Sequence, residues 1–102
     1  MQQNEYQFEW DWQKAASNLR KHKVSFEQAT TVFKDELALT VYDESHSLTE
    51  ERWFTLGTDN VGKLLAVSHT YQEMTQHTSR VRIISARLAT KQEQYYYEND
   101  SN

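Results

Sequence analysis

No cysteine and no proline occur in the 102 residues, and glycine occurs only twice, as Gly57 and Gly62. Without cysteine, disulfides, thiol catalysis and zinc–thiolate sites are excluded, and a reducing compartment is suitable. Long apolar runs are also missing: none approaches the roughly 20 residues of a membrane span. Met1-Gln2-Gln3-Asn4-Glu5 lacks the basic and apolar regions of a signal peptide. The chain therefore reads as cytosolic. No repeat and no Pro- or Gly-rich linker divides it, and its length suits one core. We read a single domain over residues 1–98 and a polar, frayed tail over 99–102.

Basic charge is scarce too. The formal net charge is −4, which argues against unspecific nucleic-acid binding, where a basic balance is expected. The basic residues are nevertheless clustered. Lys14, Arg20, Lys21 and Lys23 stand early, and Arg80, Arg82, Arg87 and Lys91 stand late. Acids concentrate between Asp35 and Glu51. A local cationic patch on an acidic chain still holds a phosphate, and the acidic remainder suits a basic protein partner.

What is plentiful is aromatic surface: three Trp, six Tyr and four Phe, each burying a large area. Their spacing, with that of the aliphatics, predicts the elements. Tyr6, Phe8 and Trp10 alternate as in a strand. Asp11 caps a helix in which Trp12, Ala15, Ala16 and Leu19 form the apolar stripe, opposite Lys14, Asn18 and Lys21. Ser25 and Gln28 form a capping-box pattern that opens a second helix, with Phe26, Ala29, Thr30 and Phe33 inward. The period then drops to two. Strands are expected at Leu37–Tyr42, Arg52–Leu56, Lys63–His69 and Val81–Ala86, with the glycines at the hairpin between the second and third of these. The nearly continuous apolar run Val81–Ala86 reads as a central strand buried on both faces. Thr90 and Glu93 open a last helix running through Tyr97. The order β-α-α-β-β-β-β-α implies an α+β domain with a twisted antiparallel sheet. Trp12, Leu19, Phe26, Phe33, Val67 and Ile83 are the expected core.

Several of these segments together resemble the BrnT family. They are Phe8-Glu9-Trp10-Asp11, Lys14, Asn18 with Lys21-His22, Val24-Ser25-Phe26-Glu27 with Ala29, and Val32-Phe33. They continue with Asp43, His46-Ser47, Glu51-Arg52, the two glycines, Leu64-Leu65, Arg80, Arg82-Ile83-Ile84-Ser85-Ala86-Arg87, Ala89, Glu93 and Tyr97. The likeness covers roughly residues 8–98. It implies a RelE-like fold and a ribonuclease toxin of a type II toxin–antitoxin system. It also implies a BrnA-like ribbon-helix-helix antitoxin, through which alone operator DNA is contacted. Where the family usually has Gly after the Lys-His pair, this chain has Lys23, so a left-handed helix end there would carry a lysine. The alternative function is a non-catalytic module that only partners a DNA-binding antitoxin.

RNA cleavage without a metal or other cofactor needs a base for the 2′-hydroxyl, an acid for the leaving oxygen and cations for the phosphate. Arg82 and Arg87 suit the last role, or form salt bridges to Glu51 or Glu93. Five positions apart on a regular strand, they point to opposite faces, so they converge only if Arg87 lies past the strand end. Arg80 shares the face of Arg82 and, with Lys91, is a candidate RNA contact. Lys21 and His22 either stabilise a helix C-terminus or supply an acid. His46 is a base or a loop residue with a local hydrogen bond. Glu51 and Arg52 orient a catalytic group or serve the strand edge. His69 reads as packing, and His77 as a loop residue. The four histidines show no metal-ligand spacing. Tyr95, Tyr96 and Tyr97 encircle the last helix. Base stacking is one use for them; docking of the antitoxin is the favoured one.

Overall fold

The computed structural model describes residues 5–100. The stretch 1–4, on which most of the signal-peptide reading rested, and residues 101–102 of the expected tail lie outside the described residues. The fold is α+β. Its elements are β1 (Glu5–Glu9), α1 (Trp12–His22), α2 (Phe26–Thr30), β2 (Leu39–Tyr42), β3 (Trp53–Thr58), β4 (Leu64–His69), β5 (Gln72–Glu73), β6 (Thr78–Leu88) and α3 (Lys91–Asp100). Short 3₁₀ turns follow α2 at Thr31–Lys34 and β2 at Glu44–His46. The last helix thus runs past Tyr97 and takes in Asn99 and Asp100, which the sequence assigned to a frayed tail. Among the described residues no helix is long and apolar enough to cross a membrane.

The sheet order is β1-β6-β4-β3-β2, with β5 also on β6. From β2 to β6 the ladder is antiparallel, as expected. The first strand corrects that expectation: β1 pairs parallel with β6, Tyr6 beside Ser79 and Phe8 beside Val81. The two helices between β1 and the rest of the sheet return the chain to the same end, so β1 enters β6 in parallel. β6 is interior, but it is buried on one face only. Val81, Ile83 and Ala86 are buried under the helices, whereas Arg82, Ile84, Ser85 and Arg87 are half-buried on the other face.

α1 and α2 pack on one face over a core of Val24, Phe26, Ala29, Val32, Leu65, Val67, Val81, Ile83 and Ala86. Phe33 is packed against this core but only partly buried. Trp12 and Leu19 are not core at all: they are 73% and 48% exposed. Instead Ala15 packs on the core, and Asn18, expected on the solvent side, is buried. The reason lies in β6. Beyond Glu9 the neighbouring strand β1 ends, which leaves the Ala86 N–H and C=O unpaired on that edge. The Asn18 amide takes both: its Nδ2 donates to Ala86 O at 2.7 Å and its Oδ1 accepts from Ala86 N at 3.1 Å. Nδ2 also donates to Val24 O at 2.9 Å. A buried backbone group without a partner costs about 1–3 kcal/mol. Satisfying two of them outweighs burying Leu19, and the helix turns accordingly.

The caps follow the sequence. Asp11 accepts from Gln13 N at 2.8 Å and Lys14 N at 3.2 Å. Ser25 accepts from Gln28 N at 2.9 Å, but the Gln28 side chain leaves the box and donates to Asp59 at 2.6 Å. Thr90 and Glu93 form a reciprocal box at 2.9 and 3.1 Å. The scarce glycines sit where a side chain fits badly. A Cβ on Gly57 would lie 3.1 Å from Ala38 Cβ and 3.3 Å from Val32 O, and Gly62 has φ +88°.

α1 ends on Lys23 at φ 60°. A non-glycine residue there carries a penalty of about 1 kcal/mol. Lys23→Gly is therefore expected to stabilise the fold by about 1 kcal/mol in urea unfolding. No gain, or a loss, would mean that the lysine makes a compensating contact.

Candidate active site

The sheet face away from α1 and α2 gathers most of the candidate residues. A β-bulge shapes it. Ser68 stands opposite Ser85, yet His69 stands opposite Ile83, so Ile84 is one residue too many on β6. One extra residue reverses the alternation of side chains beyond it. Arg82 and Arg87, five apart, therefore share the open face. This corrects the expectation that they converge only if Arg87 has left the strand: Arg87 is paired with Ala66 inside it.

On this face a cleft of about 310 Å³ is lined by Asp43, His46, Arg52, Ser68, Ser85 and Arg87, with Phe54 beneath. The 3₁₀ turn after β2 delivers His46, β3 is preceded by Arg52, and β6 holds Arg87. His46 Nδ1 lies 2.9 Å from Asp43 Oδ2 and 3.0 Å from Ser45 Oγ. The Ser45 hydroxyl, donating to Asp43 Oδ1 at 2.9 Å, and then the imidazole hold the Asp43 carboxyl below its usual range. An ionised Asp43 favours a proton on Nδ1, which leaves Nε2 free of this contact. The imidazole is 67% exposed and can meet a substrate.

The arginines are held by carboxylates. Glu93 grips Arg87 with both oxygens, at 2.8 and 3.0 Å. The Arg87 guanidinium also lies 5.8 Å from the centre of the Phe54 ring. The two-pronged bond to Arg87 pulls the Glu93 carboxyl down, and the same bond raises Arg87. Arg52 reaches Glu50 at 3.7 Å, while its Nε is buried with no hydrogen-bond partner. Glu50 also receives a hydrogen bond from Arg82. It thereby bridges this cleft to a second one, where Arg82, Arg80 and Glu51 stand together. Arg80 pairs with Glu9 at 3.3 Å. The sequence reading named Glu51 as the acid of the Glu-Arg pair; the acid that touches both arginines is Glu50.

His46, Arg52 and Arg87 are thus brought together, with Arg82 next door. Lys21 and His22 are not: they are exposed at the end of α1, on the opposite side of the sheet. Lys91 is exposed at the start of α3 and lines neither cleft. Asp43, Ser45, Ser68 and Ser85 went unnamed as site residues. The short Asp-x-Ser-His spacing was the available signal for the first two. His69 is buried, with Nε2 2.7 Å from Thr55 Oγ1 and Nδ1 2.9 Å from Thr70 O. Burial lowers its pKa, so it stays neutral and serves packing. Among the described residues no three His, Asp or Glu side chains are grouped as a metal site.

α3 lies beside the cleft over Leu39, Val41, Phe54 and Leu56, and Glu93 and Tyr96 also line the gap beneath it. Tyr97 is half-buried and donates to Asp35 Oδ2 at 2.5 Å, whereas Tyr95 and Tyr96 are 62% and 54% exposed. Burial pushes the Asp35 carboxyl up, but hydrogen bonds from Tyr97, Thr58 and Leu37 outweigh it and leave the pKa lowered. Two ties of α3 to the body, Tyr97 to Asp35 and Glu93 to Arg87, therefore run through carboxylates whose pKa values are lowered. Depressed folded-state values give stability that is full above the unfolded pKa values near 4 and is lost as pH falls through the folded ones. Below about pH 4, α3 is expected to loosen before the sheet does. Amide exchange in residues 91–100 measured against pH checks this; uniform loss across the chain would refute it.

A family profile described as ribonuclease toxin, BrnT, of type II toxin-antitoxin system matches residues 10–93. No curated protein sequence matches the chain. Among solved structures, the 1.1 Å crystal structure of the Brucella abortus ribonuclease toxin, BrnT, is similar at a TM-score of 0.57 and 20% identity, covering 80% of this chain and 94% of that one. At that identity the likeness concerns the fold.

Proposed function

The chain belongs to the BrnT family of type II toxin–antitoxin ribonuclease toxins, and from that premise we propose that the open sheet face cleaves RNA at the His46–Arg52–Arg87 cleft without a metal ion. The observation that carries the proposal is the meeting of one carboxylate-held imidazole with two guanidiniums on a shallow surface. A polymer reaches such a surface without an enclosing pocket.

In the proposed reaction His46 Nε2 accepts the proton of a ribose 2′-hydroxyl. The freed oxygen attacks the neighbouring phosphorus, and the bond to the 5′ oxygen breaks. The imidazolium then returns the proton to that 5′ oxygen. Arg87 and Arg52 hold the charge that builds on the non-bridging oxygens; planar, permanently charged forks are suited to this. Arg82 and Arg80 bind the chain beside the scissile phosphate. His22 and Lys21, on the other side of the sheet, take no part.

The partner fits the same picture. We propose a BrnA-like ribbon-helix-helix antitoxin, docking over Tyr95 and Tyr96 and the cationic cleft, with operator DNA bound through the antitoxin. The site of action is the cytosol and the fold RelE-like. One observation favours a second reading, a non-catalytic partner module: Arg80, Arg82 and Arg87 are each already paired with a carboxylate.

One assay separates the two. Purified chain is incubated with total RNA in the presence of a chelator, and the new ends are mapped. Cyclic 2′,3′-phosphate and 5′-hydroxyl ends, lost in His46→Gln, support the ribonuclease. Intact RNA from a chain that still binds its antitoxin supports the module.

A further inference from the structure

The five-strand ladder ends in β1 on one side and β2 on the other, and β2 is the less protected edge. Natural edge strands are commonly blunted by charged side chains, proline or a bulge. β1 carries Glu5, Gln7 and Glu9 at alternate positions. β2 is Leu39-Thr40-Val41-Tyr42, without charge or proline, in unbroken register with β3. The Asp43 N–H donates to Arg52 O at 2.9 Å, towards β3. Backbone groups alternate in direction along an antiparallel strand, so the N–H and C=O of Thr40 and Tyr42 point outwards. Among the described residues no other backbone group bonds to them. Val41 is 57% and Tyr42 41% exposed. Beside this edge a groove of about 560 Å³ runs between the sheet and α3, with Leu39, Val41, Phe54 and Leu56 on one side and Tyr96 and Asp100 on the other.

The charge around the edge decides what it accepts. Residues 35–51 hold the acids Asp35, Glu36, Asp43, Glu44, Glu50 and Glu51 and no Lys or Arg. These acids lie before and after β2. Asp35, Asp43 and Glu50 are engaged by Tyr97, His46 and Arg82. Glu36, Glu44 and Glu51 are exposed and form no ion pair among the described residues. Lys34 and Arg52 border the stretch, and Arg52 is already turned to Glu50. A second copy of the chain suits this edge poorly. Paired antiparallel about Thr40, it would bring the Asp35-Glu36 end of each copy to the Asp43-Glu44 end of the other, and facing like charges destabilise a strand pair. An extended segment with an apolar centre and basic ends suits it well. Main-chain hydrogen bonds to a free edge supply affinity, and alternate side chains entering a groove supply specificity.

We infer that β2 accepts, as an added strand, an extended segment of the antitoxin that is apolar at its centre and basic at both ends, with its alternate side chains in the Leu39–Val41 groove. The inference rests on the toxin–antitoxin reading for the partner's identity and adds to it the edge that is used and the chemistry that recognises it. β2 leads directly into the turn that carries His46, so the added strand ends beside the proposed active site.

The test uses the full chain and a synthetic nonapeptide, Lys-Lys-Val-Thr-Val-Thr-Val-Lys-Lys, acetylated and amidated, against the same peptide with Glu in place of every Lys. Backbone amide signals are followed by NMR. The basic peptide is expected to shift the Thr40 and Tyr42 amides saturably and to slow their hydrogen exchange, because both become bonded. The acidic peptide should bind about 10-fold or more weakly, and added salt should narrow the gap. Thr40→Pro removes one outward N–H and spares the ladder to β3, so it should weaken the basic peptide about 10-fold. Thr40→Val, which keeps the N–H, should not. Unmoved Thr40 and Tyr42 amides, equal affinity for the two peptides, or dimerisation of the chain through β2 in place of peptide binding overturns the inference. If RNA is still cleaved in that case, the ribonuclease reading stands without this docking edge. If the basic peptide binds at β2 and RNA is never cleaved, the edge stands and the ribonuclease reading falls.

Discussion

Arg87→Ala is expected to lower RNA cleavage by about 100-fold or more, the usual loss when one preorganised donor to a developing anion is removed, and to abolish growth arrest. Arg87 is held on an interior strand, paired with Ala66 and gripped by Glu93, so it is positioned before substrate arrives. Arg87→Lys should fail nearly as badly, because a point charge cannot make the two-pronged contact. Arg82→Ala should cost less, about 10-fold and mainly in KM, since Arg82 lies in the neighbouring cleft with Glu50. The helix α3 keeps its Tyr97–Asp35 tie in the Arg87 variant, so a normal circular dichroism spectrum is the control. Cleavage by a well-folded Arg87→Ala chain at the unmodified rate would remove Arg87 from the mechanism.

The second large effect is on stability. Asn18→Ala deletes three hydrogen bonds and orphans the buried Ala86 N–H and C=O. At about 1–3 kcal/mol for each unsatisfied group, the loss is about 3 kcal/mol. For a domain of this length that is a fall in Tm of roughly 12–24 °C. Asn18→Leu should be no better, because a matching apolar side chain leaves the same backbone groups bare. By contrast, Trp12→Ala and Leu19→Ala, on the exposed side of α1, should each change stability by about 0.5 kcal/mol. Thermal unfolding of the three alanine variants decides the matter. A larger loss at Leu19 than at Asn18 would mean that α1 is turned the way its apolar stripe suggests.

Much of the architecture was legible because it depends on local chemistry. Asp11, Ser25 and Thr90 cap helices where their positions before apolar periods indicate, since a cap needs only the next three residues. The apolar and β-branched runs became β2, β3, β4 and β6 because strand preference is largely a property of the segment itself. His46, Arg52 and Arg87 were named as candidates from residue type and from resemblance, and they do meet.

What the chain alone determined, then, is where the three helices start, which runs become the four longer strands after them, that thiol chemistry is excluded, and which side chains are fit to move protons or hold phosphate. Tertiary structure decided how those side chains are aimed. The parallel entry of β1 arises from packing two helices against β6. The turn of α1 arises from an unpaired strand edge that is 68 residues away from Asn18. The bulge at Ile84 is set by how β4 and β6 align across the sheet, and it alone places Arg82 and Arg87 on one face. Each of these depends on contacts between residues far apart in sequence. Periodicity reports how a residue relates to its near neighbours, and the aim of a side chain across a sheet is a relation to distant ones.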